Sequence, residues 1–239
     1  MVFIWVYFST NEFWCKIGDM TGKLIVIDGA DGAGKATQAQ LLVDRLKKDG
    51  HEVKTLDFPQ YTQNHFGALL RECLDGARGD FLNLDPRIAS TLYAADRYES
   101  SDTIRAWLES GAVVVLDRYV SSNMLHQGGK IYDEAELKDF LYWLDTIEHT
   151  VFQIPRPDLI LYLDVPFSYR QAMLFEDAKR SHLDTVESDE VYQQAAETNA
   201  TRLTAMFNSW STIQCVQDNE LRSREAIHQD VYEAIQSVV

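Results

Sequence analysis

The chain has 239 residues, 46% of them apolar, and carries a formal net charge of −15. That length suits one domain with a large core, or at most two small ones. The acidic balance argues against nucleic acid or an anionic membrane as partner, and no apolar run approaches bilayer-spanning length.

In the first twenty residues, Val2 to Phe8 is apolar. No basic residue precedes it and no small-residue cleavage site follows, so it does not read as a secretory signal. Met20 lies just upstream of the first strand. Residues 1–19 therefore read as an N-terminal extension or a mis-assigned start, and 20–239 as the folded domain.

Leu24 to Ile27 is a short apolar run suited to a buried parallel strand. Asp28 ends it, and Gly29, Ala30, Asp31, Gly32, Ala33, Gly34, Lys35, Ala36 and Thr37 follow. The spacing Gly29-x4-Gly34-Lys35 is that of a phosphate-binding loop. Glycines let backbone N–H groups curl around an anion, and the next helix points its positive end at it. Lys35 then reaches the outer phosphates of a nucleotide. Where a Ser or Thr is expected after the lysine, to hold a metal, this chain has Ala36. Thr37 is turned about 100° away around a helix and does not replace it.

A helix is predicted to Lys48, stopped by Asp49-Gly50, and a strand over 52–58, ended by Pro59. Strand, loop, helix and strand make a right-handed βαβ unit with parallel strands. Helices are then predicted over 64–75, 86–100 and 101–109, with a loop at 76–86. Ala112 to Asp117 is a second apolar strand, 133–149 an amphipathic helix and Leu159 to Val165 a third strand. Helices over 167–177 and 187–210, a short strand at 213–217 and a closing helix at 223–237 complete the chain. This alternation predicts an α/β fold, a doubly wound parallel sheet flanked by helices.

In such sheets ligands sit beyond the carboxyl ends of the strands. Asp28, Asp117 and Asp164 all end apolar runs there. Asp117 is placed to hold the waters of a Mg2+ ion that bridges nucleotide phosphates, and Arg118 to clamp a phosphate. One feature for a donor and one for an acceptor point to a kinase, since phosphoryl transfer needs positioning and charge neutralisation. A non-catalytic nucleotide-binding protein, favoured by Ala36, remains an alternative at this point. Cys15, Cys73 and Cys215 are odd in number and widely spaced, which fits a reducing compartment and so the cytoplasm.

Several ordered blocks go further. The loop from Asp28 to Gln38 comes first, then Asp57-Phe58-Pro59, then Leu92 to Glu99. Leu116 to Tyr119, Ser121 to Gly128, Pro155 to Asp158 and Leu163 to Pro166 follow. Together they resemble the thymidylate kinases, nucleoside monophosphate kinases of the P-loop NTPase type. The resemblance implies an ATP-dependent transfer of phosphate to dTMP with Mg2+, in a cytoplasmic homodimer. It implies that Lys35 and the backbone of 29–37 hold ATP, with Asp28 at the reaction centre. It implies a dTMP pocket of Phe58, Tyr93, Arg97, Arg118 and Gln127: Tyr93 stacks on the base, Arg97 and Gln127 meet its edge, and Arg118 holds its phosphate. Residues 177–188 are similar to the family's lid, where Arg180 or Lys179 meets the ATP phosphates. Gln60 and Tyr61 stand where members often have a phosphate-binding arginine; Arg118 or Arg71 is the substitute to look for. Another deoxynucleoside monophosphate as acceptor stays open as an alternative.

Overall fold

The computed structural model describes residues 21–170 and 189–239. Its centre is a five-stranded parallel sheet of β1 (Lys23–Asp28), β2 (Val53–Asp57), β3 (Val113–Asp117), β4 (Leu159–Asp164) and β5 (Trp210–Gln214), in the order 2-3-1-4-5. The order reverses at β1, so β1 lies in mid-sheet between β3 and β4. Alternate residues of one strand serve opposite faces. Leu24 and Val26 pack into one core with Val114, Leu116, Ile160 and Tyr162; Ile25 and Ile27 pack into another with Val113, Val115, Leu161 and Leu163. Helices cover both faces, which is why the strands read as unbroken apolar runs rather than as an alternation.

Helices α1 (Lys35–Lys48) and α7 (Arg224–Ile235) cover the second face. Helices α3 (Pro86–Glu109), α4 (Val120–Gly129), α5 (Glu134–Asp145) and α6 (Glu190–Met206) cover the first. Helix α2 (His65–Leu74) packs on α3 outside the sheet, around a third, smaller core of Leu70, Cys73, Leu74, Phe81 and Ala89. A two-residue hairpin pair, β6 (Val216–Gln217) and β7 (Glu220–Leu221), links β5 to α7.

Three elements differ from expectation. Residues 86–109 form one helix, not two. Ser100 and Ser101 do not break it, because the Ser101 hydroxyl donates back to the Tyr98 carbonyl at 2.8 Å within the same helix. Helix α4 does not stand out in the sequence: it is short, ends in Gly128-Gly129 and buries polar and apolar residues alike. Its glycines admit α6, since a Cβ on Gly129 would lie 3.1 Å from the Ala195 carbonyl carbon. Beyond α5 the chain continues as a π-helical turn, Thr146–Val151, rather than as more α-helix.

Candidate active site

The loop between β1 and α1 bends where its sequence allows. Gly29, Gly32 and Gly34 have φ of 156°, 79° and 83°, and Gly34 begins α1 with no side-chain cap. The first-turn N–H groups of α1 are thus not taken by a cap, which is the arrangement that binds anions. Lys35 is buried, and its Nζ donates to the Ala30 carbonyl inside the loop at 2.9 Å. Burial and the nearby Arg118 lower its pKa, against the pull of Asp31, Asp117 and Asp28.

Asp28 is fully buried. It accepts hydrogen bonds from the Gly29 N–H at 2.8 Å and from the Ser121 and Ser122 hydroxyls, so it clasps the loop to the start of α4. Asp31 is the loop's hub. Its carboxylate accepts from Arg118 Nη2 and from Gln193 Nε2 (2.7 Å), and Lys35 Nζ stands 3.9 Å away. Its backbone carbonyl accepts from Arg170 Nη1 at 3.1 Å. Burial would raise the carboxyl pKa, but Arg118 and Lys35 hold it well below the usual carboxylate range.

Arg118 follows β3 with φ 65°, and its N–H bonds the Ile27 carbonyl at 3.0 Å. That turn aims its guanidinium across the loop. Burial disfavours its charge, yet Asp31, Asp28 and Asp117 more than restore it. His126, stacked on Tyr192 with ring centroids 5.6 Å apart, lies 3.3 Å from Arg118 Nη1. Burial and Arg118 push the imidazole down to about 4, so it is neutral at pH 7 and accepts from the arginine.

Phe58, Tyr93, Arg97, Arg118 and Gln127 line one cleft of about 230 Å³. The sequence placed these five on four separate blocks; the fold brings them together. Phe58 lies against Tyr119 (5.8 Å between ring centroids), and Tyr93 against Phe81 (5.8 Å). Arg97 is no helix-surface residue paired with Asp96 or Glu99. It is buried, and the wholly buried Glu148 takes its Nε at 2.8 Å and its Nη2 at 2.5 Å. Gln127 Nε2 donates to the Tyr192 hydroxyl at 3.2 Å, while its Oε1 is buried with no partner among the described residues.

Asn123, His126, Tyr61 and Tyr192 also line the cleft and were not singled out in the sequence. Asn123 and His126 carried a usable signal, since they fall inside the block from Ser121 to Gly128. Tyr192 and Glu148 had none: each reads as an ordinary position of an amphipathic helix. Arg71 lines a neighbouring groove instead, with Ala36 and Asp117, and stacks on the Tyr61 ring at 3.9 Å. Of the two candidate substitutes for the arginine after Phe-Pro, only Arg118 is in the cleft.

Asp117 Oδ1 is buried and has no hydrogen-bond partner among the described residues. Burial raises the pKa of this carboxyl, opposed by Lys35 and Arg118. A bare carboxylate oxygen beside the phosphate loop fits a magnesium ion or its water. Arg180, Lys179 and the whole stretch 177–188 lie outside the described residues, as do residues 1–19. No described helix is long and apolar enough to cross a membrane.

The family model for thymidylate kinase matches residues 27–229. A thymidylate kinase of Clavibacter sepedonicus is 37% identical over 172 residues, 71% of this chain and 75% of that one. A probable thymidylate kinase of Thermococcus gammatolerans is 33% identical over 215 residues, 88% of this chain and 94% of that one. In fold, the chain is similar to a thymidylate kinase from Candida albicans, with a TM-score of 0.68, 23% identity and coverage of 90% and 92%. A phosphate loop at the switch point of the sheet, a cleft beside it and relatives spanning both have one common account: this chain belongs to the thymidylate kinase family.

Proposed function

We propose that the chain transfers the γ-phosphoryl group of ATP directly to dTMP, giving dTDP and ADP. The observation that carries this is the convergence of Phe58, Tyr93, Arg97, Arg118 and Gln127 on a cleft that Asp31 of the phosphate loop also lines. The cleft takes the acceptor: Tyr93 stacks on the base, Arg97 and Gln127 meet its edge, and Arg118 holds its phosphate. The loop 29–37 takes ATP. An acceptor oxygen then attacks the γ-phosphorus in line, and the leaving oxygen departs with ADP. Lys35 and Arg118, both beside the Asp31 carboxylate, neutralise the charge spread over the transferring group. Asp28 acts through the clasp that fixes the loop against α4. Asp117 is the residue that would hold a Mg2+ ion, with Ala36 contributing no hydroxyl; the ion would supply positive charge against the donor phosphates.

The same reading makes 20–239 one catalytic domain, with Arg180 or Lys179 in 177–188 meeting the ATP phosphates. It places the enzyme in the cytoplasm, in keeping with the buried free thiols Cys73 and Cys215. It makes the enzyme a homodimer, for which the exposed Phe66 of α2 and Tyr98 of α3 supply apolar surface.

ADP release measured across dTMP, dUMP, dCMP, dGMP and AMP tests the reading. dTMP is expected to be turned over fastest. Faster turnover of dCMP or AMP would overturn the acceptor assignment, and ATP binding without turnover on any acceptor would make the chain a binding protein.

A further inference from the structure

Glu148 has no place in the phosphate chemistry, yet it is fully buried and its carboxylate meets two cleft residues. It takes Arg97 Nε and Nη2 side by side, and its Oε1 also accepts from Asn123 Nδ2 at 3.0 Å. The third guanidinium nitrogen, Arg97 Nη1, donates to the Tyr119 carbonyl at 3.3 Å. Asn123 Nδ2 meets a second acceptor, the Ser90 carbonyl, at 3.1 Å. Burying an ion pair stabilises a fold little, because the desolvation of two charges offsets their attraction. Such a pair calls for another reason to be where it is.

Resting on the dTMP reading above, we propose that Glu148 is a positioning residue for the base-reading wall, fixing the orientation of Arg97, always a donor, and turning the Asn123 amide so that it is an acceptor. A carboxylate can only accept. Its fork fixes the plane of the guanidinium and cancels its charge, so that Arg97 meets a neutral base as a hydrogen-bond donor rather than attracting a second anion. The same oxygen decides which way the Asn123 amide faces. Two acceptors, Glu148 and the Ser90 carbonyl, hold its NH2 end, so Oδ1 is the end left to the cleft. With Gln127 Nε2 held by the Tyr192 hydroxyl, the wall of Arg97 as donor and Asn123 as acceptor beside it matches thymine, whose O4 accepts and whose N3–H donates. It opposes cytosine, which has an amino group at C4 and a bare N3. The uncompensated polar groups in that mismatch are what a built hydrogen-bonding site uses to reject an analogue.

The test is kcat/KM for dTMP, dCMP and dUMP in the full chain and in Glu148→Gln and Glu148→Asp, with thermal melts of each. Glutamine keeps the shape but replaces one acceptor by a donor. It should raise KM for dTMP more than it lowers kcat and cut the dTMP-to-dCMP preference about ten- to hundredfold. The dTMP-to-dUMP ratio should stay unchanged, because uracil shows the same edge. Aspartate keeps an acceptor-only group on a shorter arm, so KM should rise while the dTMP-to-dCMP preference holds. An equal loss on all three acceptors in Glu148→Gln would mean a merely structural role and overturn the inference. So would a loss of preference in Glu148→Asp as large as in Glu148→Gln. If Glu148→Gln does not fold, Glu148→Asp decides alone: preference kept supports the inference, preference lost overturns it. A wild-type chain that prefers dCMP overturns the dTMP reading itself, and the inference with it.

Discussion

Arg118 carries a backbone conformation that suits glycine better than arginine. Its φ of 65° is left-handed, which costs an L-residue roughly 1 kcal/mol. Two truncations separate this strain from the guanidinium's own contacts. Arg118→Ala and Arg118→Gly both lose the bond to Asp31, but only glycine relieves the turn. In chemical unfolding Arg118→Gly should be the more stable of the two by about 1 kcal/mol, reversing the usual order of alanine and glycine. Equal stabilities would show that the turn stores no strain. His126 makes a second residue-scale prediction. Its pKa falls from an ordinary 6.5 to about 4 in the fold, so between those values the unfolded chain binds the proton and the folded chain does not. Its share of stability is therefore complete above pH 6.5 and lost as pH falls towards 4, by about 3 kcal/mol at most. Subtracting the unfolding curves of His126→Gln from those of the wild type should show that slope; a flat difference would refute it. Asp117, Arg118, Lys35 and the glycines were legible in the sequence because their chemistry depends on near neighbours in the chain. Glu148 was not: its partners Arg97 and Asn123 are 51 and 25 residues away, and nothing local marks it.

At the scale of elements, the parallel strands were legible because burial on both faces leaves a continuous apolar run. Their ends were less so. The predicted strand at 213–217 lies at 210–214, and Trp210 starts it because it pairs in register with Ile160. Helix α4 escaped notice for the opposite reason: packed between α3 and α6, it has no solvent face to give it a period. Helix α2 stands apart in another way. It packs on α3 but on no other described element to a comparable extent, and its small core does not join those of the sheet. The amides of 70–74 should therefore exchange with solvent at least about tenfold faster than those of β1 and β3, through an opening that spares the sheet. Equal protection throughout would make α2 part of one cooperative unit with the sheet.

Across the whole molecule the net charge of −15 is matched by acids within the ligand region too, where Lys35 and Arg118 stand beside Asp28, Asp31 and Asp117, and Arg97 against Glu148. The fold class was legible from the order of elements alone. The site's composition was not, since its walls come from the segments that follow β1, β2 and β3 and from α2, α3, α4 and α6. The hub at Asp31 shows what this dispersal entails in time. Its carboxylate waits for Gln193, 162 positions later in the chain, and its carbonyl for Arg170. Contacts so distant in sequence close late in folding, because loop-closure entropy must be overcome first. On a ribosome the glycine-rich loop emerges well before the helix that its final shape needs. Nucleotide capture is thereby postponed until α6 has been made.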